Sequence, residues 1–576
     1  MVATIVGVTL VPTLRAEAAT CGVPITRSIT LTSDLVCSGS GLIVGADSIV
    51  VDLGGHLVSG TTGDGIDTDR HSRVVIRNGT VSGFTWGVGV DGSHNTVRGL
   101  DVGGAAEGIV VSGSHQKVIG NVLEHSSDAG VTLGATHSSV SRNLARANGV
   151  GFVADSGSCC AFDGNVAIDN AIGFQNYTTH TSFTHDSAMR NSGVGFVFYS
   201  APGRVSSDVA LDNGDTGFRF AASKRAMALT SNVANRNGFA GGGADGNGAG
   251  FEILMNSGPL PRTVSGNIAS SNDDSSNCAP TSICSYPGPV LPVEAPPACG
   301  STITHSTEFA ASKDCTGSDG YVIGADDIVV DLGGHEVGSN DSTHTGFNVN
   351  GHSSVTIRNG TIDNFATDLF VDAQSPKATI QGIIATRGFA GFDLRGDGTR
   401  AFANVASTNE IGFAIEAPFG RTMLVRNAAL STSSVGYYVS GDSCCVTFKG
   451  NLAGVAPTLY TGNHEGFDLE GKKMTISNNI ALSSFANGFA IDVPTKHEIV
   501  AANTAFLNGG DGFNISSSKR GLKLVRNVAD INGFQGSNSD GLGRGFELGS
   551  MTGVVAAGNI AADNDDPSEC SPQARC

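Results

Sequence analysis

The side chains best suited to acid–base chemistry are carboxylates on two Gly-rich segments of one pattern. GFAGGGADGNGAGFE at 238–252 carries Asp245 and Glu252, and GFQGSNSDGLGRGFE at 533–547 carries Asp540 and Glu547. Asp273-Asp274 and Asp565-Asp566 follow shortly after. One carboxyl kept neutral beside one kept ionised can serve as general acid and base on a glycosidic bond. The same oxygens would suit Ca²⁺, the one cofactor they suggest. These eight carboxylates form the expected catalytic set. The competing reading is a hydrophilic loop and end cap, which a stack of repeats needs for solubility.

A second group is basic. Six residues before successive Asn or Asp positions stand His115, His137, Cys159 and His180, and later Arg421, Cys445, Lys473 and His497. One titratable side chain per repeat would make a stripe able to hold an extended anionic chain. A third constellation joins His180 to His185 and Asp186 in NYTTHTSFTHDS, with His464-Glu465 and Asp468 of GNHEGFDLEG as its counterpart. The expected substrate contacts are therefore His115, His137, His180, His185, Asp186, Arg421, Lys473 and His497. The alternative is a column of turn residues repeated for their solubility alone. Asp52, Asp331, His56 and His335, in duplicated DLGGH segments, read as structural corners.

A short period must position these groups. Gly-Phe begins at 151, 173, 195 and 217, and Asn143, Asn165, Asp186 and Asp208 keep a similar step. Asn148, Asn170, Asn191 and Asn213 form another column, and Asn404, Asn427, Asn451, Asn479, Asn503 and Asn527 continue the pattern. A unit of this size is too short for a strand plus crossover helix. It fits a coil of three short strands and three turns, with coils stacked at ~4.8 Å. Val, Ile, Leu, Ala and Phe would face inward. Asn at a corner would take the left-handed turn and bond to its copies above and below.

A longer period is superimposed. IVGADSIVVDLGGH (43–56) returns as IGADDIVVDLGGH (323–335), VVIRNGT (74–80) as VTIRNGT (355–361), and SGNIASSNDD (265–274) as AGNIAADNDD (557–566). The expected organisation is a signal-like segment 1–19, a first half 20–284, a Pro-rich linker 285–298 and a second half 299–576. Each half holds roughly 11–12 coils, a rod of roughly 50–55 Å at the usual rise.

The twelve cysteines follow the same doubling, and an even count with repeated spacing in an exported chain reads as disulfides. Cys21–Cys37, Cys278–Cys284, Cys299–Cys315 and Cys570–Cys576 are the expected pairs. Cys159-Cys160 and Cys444-Cys445 are open between vicinal disulfides and thiols. Residues 2–14 are mostly apolar and precede an Ala-x-Ala pattern, which points to export and a secreted or cell-surface location. No apolar run reaches the ~20 residues of a membrane span. A net charge of -19, from 34 basic and 53 acidic residues, argues against a nucleic-acid partner.

The DLGGH turns, the I-R-N-G-T strands and the x-N-x-A-x-x-N-x-x-G-F coils resemble the right-handed parallel β-helix repeat proteins of the pectin-lyase-like class. The resemblance covers nearly all of the chain after residue 20. It implies an all-β solenoid of two tandem duplicated halves. It also implies an exported protein acting on a polysaccharide, as lyase or glycoside hydrolase. The alternative is a non-catalytic glycan-binding or surface rod. The class's Tyr-Gly-Phe-Asp-Pro-His run is represented only by Gly-Phe-Asp at 391–393 and 466–468. Its Gly-His-Gly and Arg-Ile-Lys motifs do not occur.

Overall fold

Each repeat bends at residues with left-handed backbone. In the coil that starts at His137 (φ 52) these are His137, Arg142 (φ 54) and Ala147 (φ 56). They separate the strands Ser139–Ser141, Leu144–Arg146 and Val150–Ala154. The next coil repeats the plan at Cys159, Gly164 and Asp169, and the one after at His180, His185 and Arg190. The left-handed residue is thus the one before the Asn, not the Asn itself as the sequence suggested. The short amide must turn inward to reach its neighbours, so its predecessor makes the bend and points its side chain out.

The computed structural model describes residues 15–571 apart from 17–18, 222–226, 239–247, 255–260, 271, 274–276, 285–290, 419, 455–463, 493–497, 518–520, 531, 534–542, 550–553, 563 and 565–569. All described strand pairings are parallel, each strand pairing with its equivalent one coil on. Strands of the Val150–Ala154 type build a 12-stranded sheet from Pro24–Ile25 to Cys278–Ala279, and a second runs from Ser301–Ile303 to Cys570–Ser571. The other two strands of each coil form a 21-stranded sheet in each half. The signal-like segment falls outside the described residues, save Arg15–Ala16.

The interior is a set of columns. Phe152, Phe174, Phe196, Phe218 and Phe251 stack face to face with centroids 4.6–4.9 Å apart. Phe392, Phe413, Tyr437, Phe467, Phe489, Phe513 and Phe546 do the same in the second half. The Gly before each ring is needed for close approach: a Cβ at Gly151 would stand 2.7 Å from the carbonyl oxygen of Gly173. Phe196 is fully buried. Phe196→Ala is expected to lower stability by about 3–5 kcal/mol, read by chemical denaturation. A loss below about 1 kcal/mol would contradict a close-packed column.

Beside the rings run amide ladders. Asn121 Nδ2 donates to Asn143 Oδ1 at 2.9 Å, and Asn143 Nδ2 to Asn165 Oδ1 at 2.9 Å. Asn165 Nδ2 donates to Asp186 Oδ1 at 2.9 Å, and the Asp186 backbone N–H to Asp208 Oδ1 at 2.8 Å. The second half carries the same ladder through Asn404, Asn427, Asn451, Asn479, Asn503 and Asn527. Asp52 and Asp331 are corners as expected: each accepts a bond from its turn's Gly N–H and pairs with an Arg, Arg77 at 2.7 Å and Arg358 at 2.7 Å.

The two halves lie side by side with their coils running in opposite directions. Val122, Leu144, Val166, Met189 and Leu211 of the first pack with Ile384, Val405, Leu452, Ile480 and Val528 of the second in one apolar cluster. The early coil at Gly120 touches the late Val528, while late Asn235 donates to the early Ala403 carbonyl at 3.1 Å. Cys21–Cys37, Cys278–Cys284 and Cys299–Cys315 are bonded as expected. Cys576 lies outside the described residues. Cys444 and Cys445 are bonded to each other, whereas Cys159 and Cys160 are free thiols.

Candidate functional site

Outward-facing residues of the second 12-stranded sheet gather carboxylates over neighbouring coils. Alternation along the strand Glu465–Leu469 buries Phe467 and Leu469 and leaves Glu465 and Asp468 on the outer face. Register sets Asp468 beside Tyr438 on one side and Ala490 on the other. Glu470 follows two residues on, exposed on the same face. Tyr438 lies within electrostatic reach of Glu470, Asp468 and Glu416.

Charge is left unneutralised here. Partial burial, then Glu465 and Glu470, push the Asp468 carboxyl up to about 6. Burial also raises Glu465, although the Asn487 amide donates to it at 3.3 Å. Among the described residues none of Glu465, Asp468 and Glu470 has an ion-pair partner. Lys472, two residues beyond Glu470, faces Asp442 at 3.6 Å, and Arg395, three strands up the sheet, is engaged by Asp393 at 2.7 Å and Glu416 at 3.3 Å and stands over the Phe370 ring at 5.2 Å. The first half differs: Arg219 pairs with Asp215 at 2.8 Å and with Glu252 at 2.6 Å. A carboxyl that titrates near 6 on an open face can give a proton to a bound substrate near neutral pH.

The expected catalytic set is placed differently. Asp245, Asp274, Asp540, Asp565 and Asp566 lie outside the described residues. Glu252 is held by Arg219, and Glu547 is paired with Arg544. Glu547 lies near Asp511, whose carboxyl burial pushes up to about 6. The Asp273 N–H donates to the Asn237 carbonyl at 2.9 Å.

The basic column is a real alignment. His94, His115 and His137 stack with centroids 4.7 and 5.4 Å apart, all exposed, and the exposed Cys159 and His180 continue the line with the same left-handed backbone. Cys445 and Lys473 hold the equivalent place in the second half. The Arg421 N–H donates to Asp397 at 3.1 Å, and His497 lies outside the described residues. His185 stands at a different corner, with Nδ1 3.1 Å from Asp163 Oδ1. Asp186, expected among the substrate contacts, is instead 0% exposed inside the ladder, where it fills an Asn position and is not open to the surface. His464, expected beside Glu465 and Asp468, packs near the Phe485 ring at 5.5 Å.

Coil-on-coil parallel register throughout the described strands, with three bends per coil, decides the architecture. The chain is an all-β parallel β-solenoid. Residues 47–240 of this β-helix match the family model described as periplasmic copper-binding protein (NosD). Among solved structures, the β-helix is similar to a PL6 family alginate lyase, AlyGC, at 9% identity and TM-score 0.31, covering 95% of this chain and 97% of that one. It is also similar to the Dettilon tailspike protein (gp208), at 8% identity and TM-score 0.15, covering 93% and 62%. At these scores neither likeness bears on what the β-helix does. No curated protein matches it.

Tyr438, Glu470, Glu416 and Asp511 were not singled out in the sequence. Their signal was present in the outward alternation of the x-G-F-x-x strands, read across coils instead of along the chain.

Proposed function

We propose that this β-helix is a glycoside hydrolase of the cell exterior, with an extended glycan lying across the outer face of the second 12-stranded sheet. The single observation that carries the reading is Asp468, pushed up to about 6 on an exposed strand face with two further carboxylates beside it. Asp468 donates its proton to the glycosidic oxygen. Glu470, exposed on the same face, receives a proton from the attacking water. Tyr438 and the Phe370–Arg395 pair offer flat surfaces for sugar rings.

The same charges select against a uronate polymer at this face. A β-elimination lyase needs a cation to neutralise the uronate carboxylate, and Arg395 is already committed to Asp393 and Glu416. A neutral or amino-sugar glycan is the substrate class. Export is supported by three disulfides, two of them with the same spacing of 16, and by the periplasmic family match over 47–240.

Copper, named in that family's description, was tested against the side chains present in the matched segment. His94, His115 and His137 lie face to face, so their nitrogens run along parallel lines and do not converge on one point. No group of three or more His, Cys, Asp or Glu among the described residues could hold a metal ion. The described residues of the matched segment bring no three such side chains together.

The test is a panel of neutral, amino-sugar and uronate glycans. New reducing ends should form on a neutral or amino-sugar polymer, faster below pH 6 than above. Unsaturated ends forming on a uronate polymer would overturn the reading, as would no turnover on any member.

A further inference from the structure

A second concentration of charge, opposite in sign, lies in the seam between the two halves. The left-handed corner residues of one solenoid face those of the other there. They enclose a cavity of about 210 Å³ lined by Arg142, Asp163 and His185 from the first half and by Asn478, Thr504 and Arg526 from the second. At ~30 Å³ per water it holds roughly seven waters, enough for one solvated charged group and too small for a disaccharide. Two guanidiniums meet a single carboxylate in a chain whose net charge is -19.

The carboxylate is already occupied. Asp163 Oδ1 takes the His185 Nδ1 contact at 3.1 Å and a bond from Thr184 Oγ1 at 2.9 Å. The guanidiniums are not. Arg142 NH1 donates to the Arg526 carbonyl, which fixes its place across the seam. Neither Arg142 nor Arg526 has a carboxylate within ion-pair distance among the described residues. Burial lowers Arg142 from its ordinary value, Asp163 opposes that shift, and the like charge of Arg526 adds to it, so a bound anion would offset the repulsion between the two guanidiniums. Another seam cavity, about 190 Å³, also holds two guanidiniums, Arg77 and Arg98, but there Arg77 is paired with Asp52 at 2.7 Å.

We propose that the cavity between Arg142 and Arg526 is a binding site for one oxyanion group, a carboxylate, sulfate or phosphate, gripped by guanidiniums from both halves. Planar guanidinium donors match such groups in pairs, and a partly enclosed site strengthens each contact. Binding ties the halves together, because each supplies one of the two cations. The site is separate from the Asp468 face and does not depend on glycan hydrolysis.

The experiment uses the full chain and calorimetric titration with three probes: inorganic phosphate, a short oligouronate, and a neutral oligosaccharide of equal length. Phosphate is expected to bind at low ionic strength, to weaken as salt rises, and to lose about tenfold or more in affinity in Arg526→Gln and in Arg142→Gln. Arg73→Gln, at an exposed residue paired with Asp47, should change nothing. Oligouronate binding with the same variant dependence would assign the group to a polymer end. Phosphate binding alone would assign a free small anion. Phosphate affinity unchanged in both variants, equal binding of the neutral oligosaccharide, or no binding of either anion would overturn the proposal. Thermal melts of each variant separate lost binding from lost folding. Hydrolysis at Asp468 is read independently on the same samples.

Discussion

Asp468→Asn is expected to lower the rate of glycan hydrolysis by about 10²–10⁴-fold while leaving the protein at least as stable as before. The asparagine keeps the side chain's shape but cannot give up a proton. The pH profile supplies the sign. A group held near 6 is protonated below that value and ionised above it, so activity should fall as pH rises through about 6. Stability moves the opposite way on substitution. Because the folded value lies above the ordinary 3.8, the carboxyl's contribution to stability is complete below pH 3.8 and lost as pH climbs through about 6. The amide removes that loss. At pH 7 the variant should gain on the order of 1 kcal/mol once solvent screening is allowed for. Rates and urea denaturation measured on one preparation at pH 5 and 7 check both. Full activity in Asp468→Asn would dismiss this residue as the proton donor.

The second large effect lies inside the first solenoid. Asp186 and Asp208 hold two consecutive rungs of a column otherwise made of Asn, and both are 0% exposed. In an amide rung, Nδ2 donates to the next Oδ1. A carboxylate cannot do this, and only the protonated acid can. Burial raises both groups well above the usual carboxylate range; for Asp186 the next cause is Asp208, and Asp163 adds to both. Raised folded values mean that stability is fully present below 3.8 and is lost as pH rises through the folded values. The double variant Asp186→Asn with Asp208→Asn should therefore be more stable than the parent by about 1–3 kcal/mol at pH 8. The gain should shrink toward pH 4. Denaturant unfolding at the two pH values reads it, and an equal loss at both would refute the protonated rung.

The fold was legible because a solenoid writes its geometry into a period. Gly-Phe at one step, with an Asn at another, left no room for a helix, and the Phe stack and amide ladder follow that step directly. The exact bend was harder: nothing in the Arg142-Asn143 pair says which residue takes the left-handed backbone until the inward demand of the amide is considered. The carboxylate face was half visible. His464, Glu465 and Asp468 stood out as a local run, but Tyr438 reaches Asp468 only through pairing between coils of unequal length, Val435 opposing Glu465 across 30 residues. The seam was invisible, since no periodicity within a half reveals that a second half folds back against it.

That folding back bears on how the molecule is made. The first solenoid precedes the second in the chain, and without the second it carries a bare ridge of Val122, Leu144, Val166, Met189 and Leu211. A chain stopped near residue 284 would keep that ridge open to water and would seek a substitute cover in its own copies.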